Sequence, residues 1–172
     1  MLEFVRQDSD LVVVDLPRTL AVAQPQFLDG CDRIILVAEP GLGAMRDTAR
    51  LANHISKHNP AAKLSVVLNR QGVGGKDELT VKTFEDGSGQ KIASTVPFEP
   101  KTAIGAEAAG KCVLSVAQRS KLGRALTGVA TMVAGVEDEG LRLSLQKLGA
   151  SPGGGGAMLT TDSKGIVTSQ SP

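Results

Sequence analysis

Residues 33–70 read RIILVAEPGLGAMRDTARLANHISKHNPAAKLSVVLNR, and their order decides the fold. Ile34-Ile35-Leu36-Val37 and Leu64-Ser65-Val66-Val67-Leu68 are rich in β-branched residues. Their apolar positions are near-continuous rather than alternating, the pattern of strands buried on both faces. Between them, Leu42, Met45, Ala49, Ala52 and Ile55 recur at helical spacing over Leu42–Asn59, and Pro60 stands just past the expected helix end. Strand, helix, strand in this order implies a right-handed crossover between two parallel strands.

Working outward, Leu11-Val12-Val13-Val14 is a further strand candidate and Ile92–Val96 a weaker one. Thr19–Leu28 fits a helix that Pro25 bends or limits to one side. Ala103–Gly110 fits a short helix, and Val113–Val133 carries an apolar stripe through Val116, Leu122, Leu126, Val129 and Val133. The alternation predicts an α/β fold with a mostly parallel sheet and helices on both faces. Four parallel strands are few for a doubly wound domain, which points to a front half missing from the chain. Residues 1–150 are expected to make the folded portion. The tail 151–172, SPGGGGAMLTTDSKGIVTSQSP, is too poor in apolar residues to fold alone and is expected to be disordered. Ahead of it, Leu141, Leu145 and Leu148 form one stripe. Glu137, Asp138 and Glu139 outnumber Arg142 and Lys147 there, so packing on protein is expected rather than docking on an anionic membrane.

Composition narrows the function classes. Lysine plus arginine number 19 against 18 acidic residues, a net charge of +1 that lacks the basic footprint of a nucleic-acid binder or a polybasic membrane anchor. Four Phe, with no Trp or Tyr, leave little from which to build stacking platforms for single strands. Cys31 and Cys112 stand far apart and, with His54 and His58, lack the spacing of a zinc site, so two reduced thiols are expected. MLEFVRQDSD is charged from its third residue, unlike a secretory signal, and no apolar run approaches the ~20 residues that span a bilayer. The chain reads as cytoplasmic.

Among the motifs, DLVVVDLP (residues 10–17) ends an apolar run on Asp15, the Walker B arrangement in which a carboxylate holds magnesium through water. The same residue type also caps helices. A Walker A loop requires G-x-x-x-x-G-K-[ST]. Gly72-Val73-Gly74-Gly75-Lys76 fails this spacing, because Arg70 stands five residues before Gly75 and Asp77 follows Lys76. Asn69-Arg70 directly follows the apolar run Leu64–Leu68. Asparagine presents both donor and acceptor to an adenine edge, and arginine stacks on a base or meets a carboxylate. Val96-Pro97-Phe98-Glu99-Pro100 is a rigid loop suited to wall a purine pocket or simply to connect elements. His54 and His58 lack the glutamate of HExxH, and Gly87-Ser88-Gly89 reads as a turn rather than a nucleophile elbow.

Taken together, DLVVVDLPRTL, GCDRIILVAEPGLGAMRDTARLANHI and the segment from Lys63 to Lys111 closely resemble the C-terminal half of CpaE-like (TadZ-like) pilus-assembly ATPases of the MinD/ParA superfamily, over about residues 10–135. The resemblance implies a P-loop NTPase-like fold whose glycine-rich loop would lie before Met1. It implies ATP and magnesium as cofactors, with Asp15 as the Walker B metal residue and Leu16-Pro17-Arg18 as the switch segment after it. Asn69 and Arg70 would contact the adenine, and Pro97, Phe98 and Glu99 would pack around base and ribose. The implied partners are a second copy and the pilus secretion machinery, without sequence-specific nucleic acid and with peripheral membrane contact at most, at the inner membrane or cell pole. With the phosphate loop lacking, catalysis by this chain is not expected. The competing readings are a non-enzymatic interaction module with this fold and a ParA/MinD-type partitioning or division-site ATPase.

Overall fold

The computed structural model describes residues 11–134 and two short strands at 158–161 and 167–170. Asp15–Phe98 forms one unit; the residues on either side of it form another. Within the first, α1 (Arg18–Ala23) and a 3-10 turn (Pro25–Phe27) lead into β1 (Arg33–Ala38), α2 (Leu42–His58) and β2 (Lys63–Gln71). A second 3-10 turn (Gly75–Asp77), α3 (Val81–Ser88) and β3 (Ile92–Pro97) follow. The strands form one parallel sheet in the order β1-β2-β3, flanked by helices, as the spacing of apolar runs requires.

The core lies where α2 and α3 cover one sheet face. Val66 and Leu68, two residues apart, share that face and are fully buried with Phe84 of α3. Leu36, Ala38, Ala44, Met45, Leu79, Val81 and Ile92 pack around them. Helix α2 buries Thr48, Ala52 and Ile55, spaced four and three apart on one stripe. It ends at Asn59, whose Nδ2 donates to the carbonyls of Leu28 (2.8 Å) and Cys31 (3.0 Å), fixing the helix end against the approach to β1. Helix α3 starts on Thr80, whose hydroxyl accepts from Thr83 N–H at 3.1 Å, and stops at Gly89, which takes the left-handed φ of 68°.

Glu85 joins α3 to the start of β3: its Oε1 accepts from Ile92 N–H at 2.9 Å and its Oε2 from Lys91 Nζ at 3.0 Å. The Ile92 amide first, and Lys91 after it, hold the Glu85 carboxyl below its ordinary value of 4.5. A depressed carboxylate stabilises the fold at neutral pH and loses that effect as pH falls through the folded-state value. Urea midpoints of the native chain and of Glu85→Gln should therefore differ at pH 7 and converge below about pH 4.5. A gap that stays constant down to pH 3 would contradict this.

The second unit contains α4 (Pro100–Ala108), α5 (Val113–Val116) and α6 (Lys121–Ala134), with β4 (Met158–Thr161) paired antiparallel to β5 (Val167–Gln170). The stripe expected over Val113–Val133 is broken at Ala117–Ser120. Gly123 N–H donates to Ser120 Oγ at 2.8 Å and Leu122 N–H to Glu99 Oε2 at 2.9 Å, so a fresh helix begins on two oxygen caps.

The expected N-terminal strand is corrected. Leu11–Val14 is no strand: Leu11–Pro17 adopts no regular element, and Val13 and Val14 are 68% and 49% exposed. A strand exists only through a hydrogen-bonded neighbour, and among the described residues this run has none. Over Thr19–Leu28 the helix is confined to the N-terminal side of Pro25, as expected: Pro25 removes an amide donor and fits only the first turn of the following 3-10 piece. The leucine stripe at Leu141–Leu148 and most of the tail 151–172 lie outside the described residues; within that tail, β4 and β5 pair.

Candidate functional site

The carboxyl edge of the sheet gathers the ends of three strands. At β2 the ladder is irregular: Leu68 pairs with Thr95 and Gln71 with Pro97, so three steps along β2 match two along β3. The extra residue falls at Asn69–Arg70, and Arg70 has φ 58°, the one positive φ at a non-glycine among the described residues. Such a bulge turns side chains out of the regular alternation, and bulges are enriched beside binding sites.

Arg70 is held on three sides. Its backbone N–H donates to Asn69 Oδ1 at 2.9 Å, and its Nη1 donates to Glu39 Oε1, at the end of β1, at 2.9 Å. Its guanidinium carbon lies 5.2 Å from the centroid of the Phe98 ring, beyond β3, within cation–π range. Phe98 N–H donates to Gln71 O at 2.9 Å, which keeps the ring beside the arginine, and Phe98 remains 41% exposed. Asn69 Nδ2 has no partner among the described residues and is available as a donor. The result is a planar cation backed by an aromatic ring, with an amide donor next to it. That arrangement suits a flat heteroaromatic base.

Of the residues expected from sequence, Asn69, Arg70, Pro97 and Phe98 lie together at this edge, Pro97 pairing with Gln71. Glu99 caps α4 through its carbonyl, which accepts from Ala103 N–H, while its carboxylate accepts from Leu122 N–H. Asp15 does not end a strand. It is exposed and takes no hydrogen bond or ion pair among the described residues. Arg18 of the expected switch segment pairs with Asp47 of α2. Glu39 was not singled out in the sequence; an acidic residue directly before Pro40, at the end of an apolar run, was the available signal.

The implied cofactors fit unequally. A base fits Asn69, Arg70 and Phe98. Magnesium does not: among the described residues no group of three His, Cys, Asp or Glu converges to hold a metal ion. Nor do phosphates, because the amides of the Gly72–Gly75 loop already hold the Glu78 carboxylate. No helix among the described residues is long and apolar enough to cross a membrane.

No family model matches the chain, and no curated protein matches it. Solved structures do. MinD from Aquifex aeolicus superposes with a TM-score of 0.65 at 19% identity, covering 79% of this chain and 58% of MinD. MinD from Pyrococcus horikoshii, in complex with Mg-ADP, gives 0.51 at 20% identity over 59% and 41%. A ParA family ATPase from Chlorobium tepidum gives 0.50 at 23% identity over 58% and 40%. The chain thus spans between two fifths and three fifths of the length of these structures. In fold, it is similar to the MinD and ParA ATPases with a P-loop.

Proposed function

We propose that the chain is the base-binding portion of a deviant-Walker ATPase domain of the CpaE-like (TadZ-like) kind, placing or assembling the secretion apparatus of Flp-type (tight-adherence) pili. The observation that carries the reading is Arg70, set in a bulge at the carboxyl edge and held by Glu39 and Phe98 beside Asn69. Ligands of α/β folds bind at this edge. The pilus role rests on the sequence resemblance from DLVVVDLPRTL to the Pro97–Pro100 loop. In this reading the partners are a second copy and the pilus secretion machinery at the inner face of the membrane.

Calorimetric titration should find ATP binding no tighter than millimolar, at most about 4 kcal/mol. Magnesium-dependent hydrolysis should be absent, with Asp15→Ala leaving the background unchanged. Micromolar ATP affinity, or a turnover lost in Asp15→Ala, would show a complete phosphate site and defeat this reading. For the biological role, deletion of the gene should remove Flp-type pili from the cell surface. Unaltered piliation would defeat the pilus assignment while leaving the base site standing. A non-enzymatic interaction module is the second reading, favoured by the engagement of Arg70 and the loop amides with carboxylates of the chain itself. It requires that adenosine leave the thermal midpoint unmoved.

A further inference from the structure

The groups best suited to grip an anion at the carboxyl edge are already gripping carboxylates of this chain. Gly72 N–H donates to both Glu78 oxygens, at 3.0 and 2.8 Å, and Gly74 N–H donates to Glu78 Oε2 at 3.2 Å. The loop is shaped around that side chain. Gly72 has φ 98° and Gly75 φ 56°, and a Cβ on Gly74 would meet the Glu78 Cβ at 3.1 Å. Two residues before the loop, the Arg70 guanidinium is taken by Glu39. Neighbouring backbone N–H groups and a guanidinium are the chemistry that recognises phosphoryl oxygens. A carboxylate tethered six residues away competes with any free anion at a high effective concentration. Lys76 remains as an exposed point charge, which alone makes no cradle.

We propose that Glu78 on the loop amides, together with Glu39 on Arg70, closes this edge against phosphoryl groups, so that the site accepts a purine base or nucleoside and gains nothing from the phosphates attached to it. The ligand class rests on the base-site reading above; the closure rests on the loop alone. Adenosine and ATP should therefore bind the native chain with affinities less than about tenfold apart, less than one well-made charge-assisted contact would add. Removing Glu78 frees two converging amides and creates phosphate affinity where there was none.

The test uses the full chain labelled with nitrogen-15 and two separate probes, inorganic phosphate and adenosine. In the native chain, phosphate should leave the Gly72 and Gly74 amides unmoved, while adenosine shifts Asn69, Arg70 and Phe98. In Glu78→Ala, phosphate should shift Gly72 and Gly74 saturably, at a concentration at least about tenfold below any effect on the native chain. The proposal is overturned if native Gly72 and Gly74 titrate with phosphate as those of the variant do. It is equally overturned if the variant stays folded and its amides ignore phosphate. Should Glu78→Ala lose its dispersed spectrum, the comparison of ATP with adenosine on the native chain decides, and ATP binding tenfold or more tighter overturns the closure. Adenosine without effect, alongside the expected phosphate results, defeats the base-site reading and leaves the closure intact.

Discussion

Phe84→Ala is expected to cost about 3–5 kcal/mol, the range for emptying a fully buried aromatic site. Phe84 is 0% exposed and touches the same cluster as Val66 and Leu68, where strands β1 and β2 meet helices α2 and α3. Close packing leaves few neighbouring atoms able to fill the space. A domain of this size is stable by about 5–15 kcal/mol in all, so one truncation removes about a fifth or more of that margin. The check is the urea midpoint, which should fall with little change in slope. A loss under about 1 kcal/mol would show that α3 collapses into the gap, and that Phe84 does not fix this helix on the sheet.

The second large effect separates two glycines that sit in helices, where alanine is intrinsically favoured by about 1 kcal/mol. Gly123→Ala should destabilise α6 by about 1–3 kcal/mol, because the added Cβ meets backbone: the Ala117 carbonyl oxygen and, at 2.7 Å, that of Gln118. The α5–α6 turn is closed by hydrogen bonds from Ser120 Oγ to Ala117 O and from Gly123 N–H to Ser120 Oγ, so it has little freedom to give way. Gly87→Ala meets the far end of Met45, with Cε at 2.7 Å, and a methionine re-aims its thioether at small cost. Thermal melts of the two variants should rank Gly123→Ala well below Gly87→Ala. Equal midpoints would show that the turn before α6 moves as readily as a methionine.

What could be read in the sequence was what depends on near neighbours. The stripe Met45, Ala52, Ile55 and the runs Ile34–Val37 and Leu64–Leu68 state their own conformations, and β1, α2 and β2 formed as expected. Helix α3 was not foreseen, because VKTFEDGS offers only Val81 and Phe84 as an apolar pair before its turn signals. Leu11–Val14 misled for the opposite reason: its residues favour a strand, but pairing is a property of two segments. At the candidate site, the placement of Asn69, Arg70 and Phe98 at one sheet edge was legible from their position after apolar runs. Glu39 was not, since its bond to Arg70 joins positions 31 residues apart. Likewise the Gly72–Lys76 loop resembled a phosphate cradle in composition, and only the geometry of Glu78 reveals what its amides hold.

The bulge at Asn69–Arg70 has a consequence for how this edge tolerates change. In a regular strand, every residue is committed to one face, and a one-residue slip exchanges the faces. Here the extra residue falls just after Leu68, past the buried stretch Val66–Leu68, where an offset leaves the packed positions alone. Substitutions at Asn69 and Arg70 should then combine additively in stability with those at Val66 or Phe84, since they share no partners. Side chains at this edge are free to change while the packed interior beneath it stays the same.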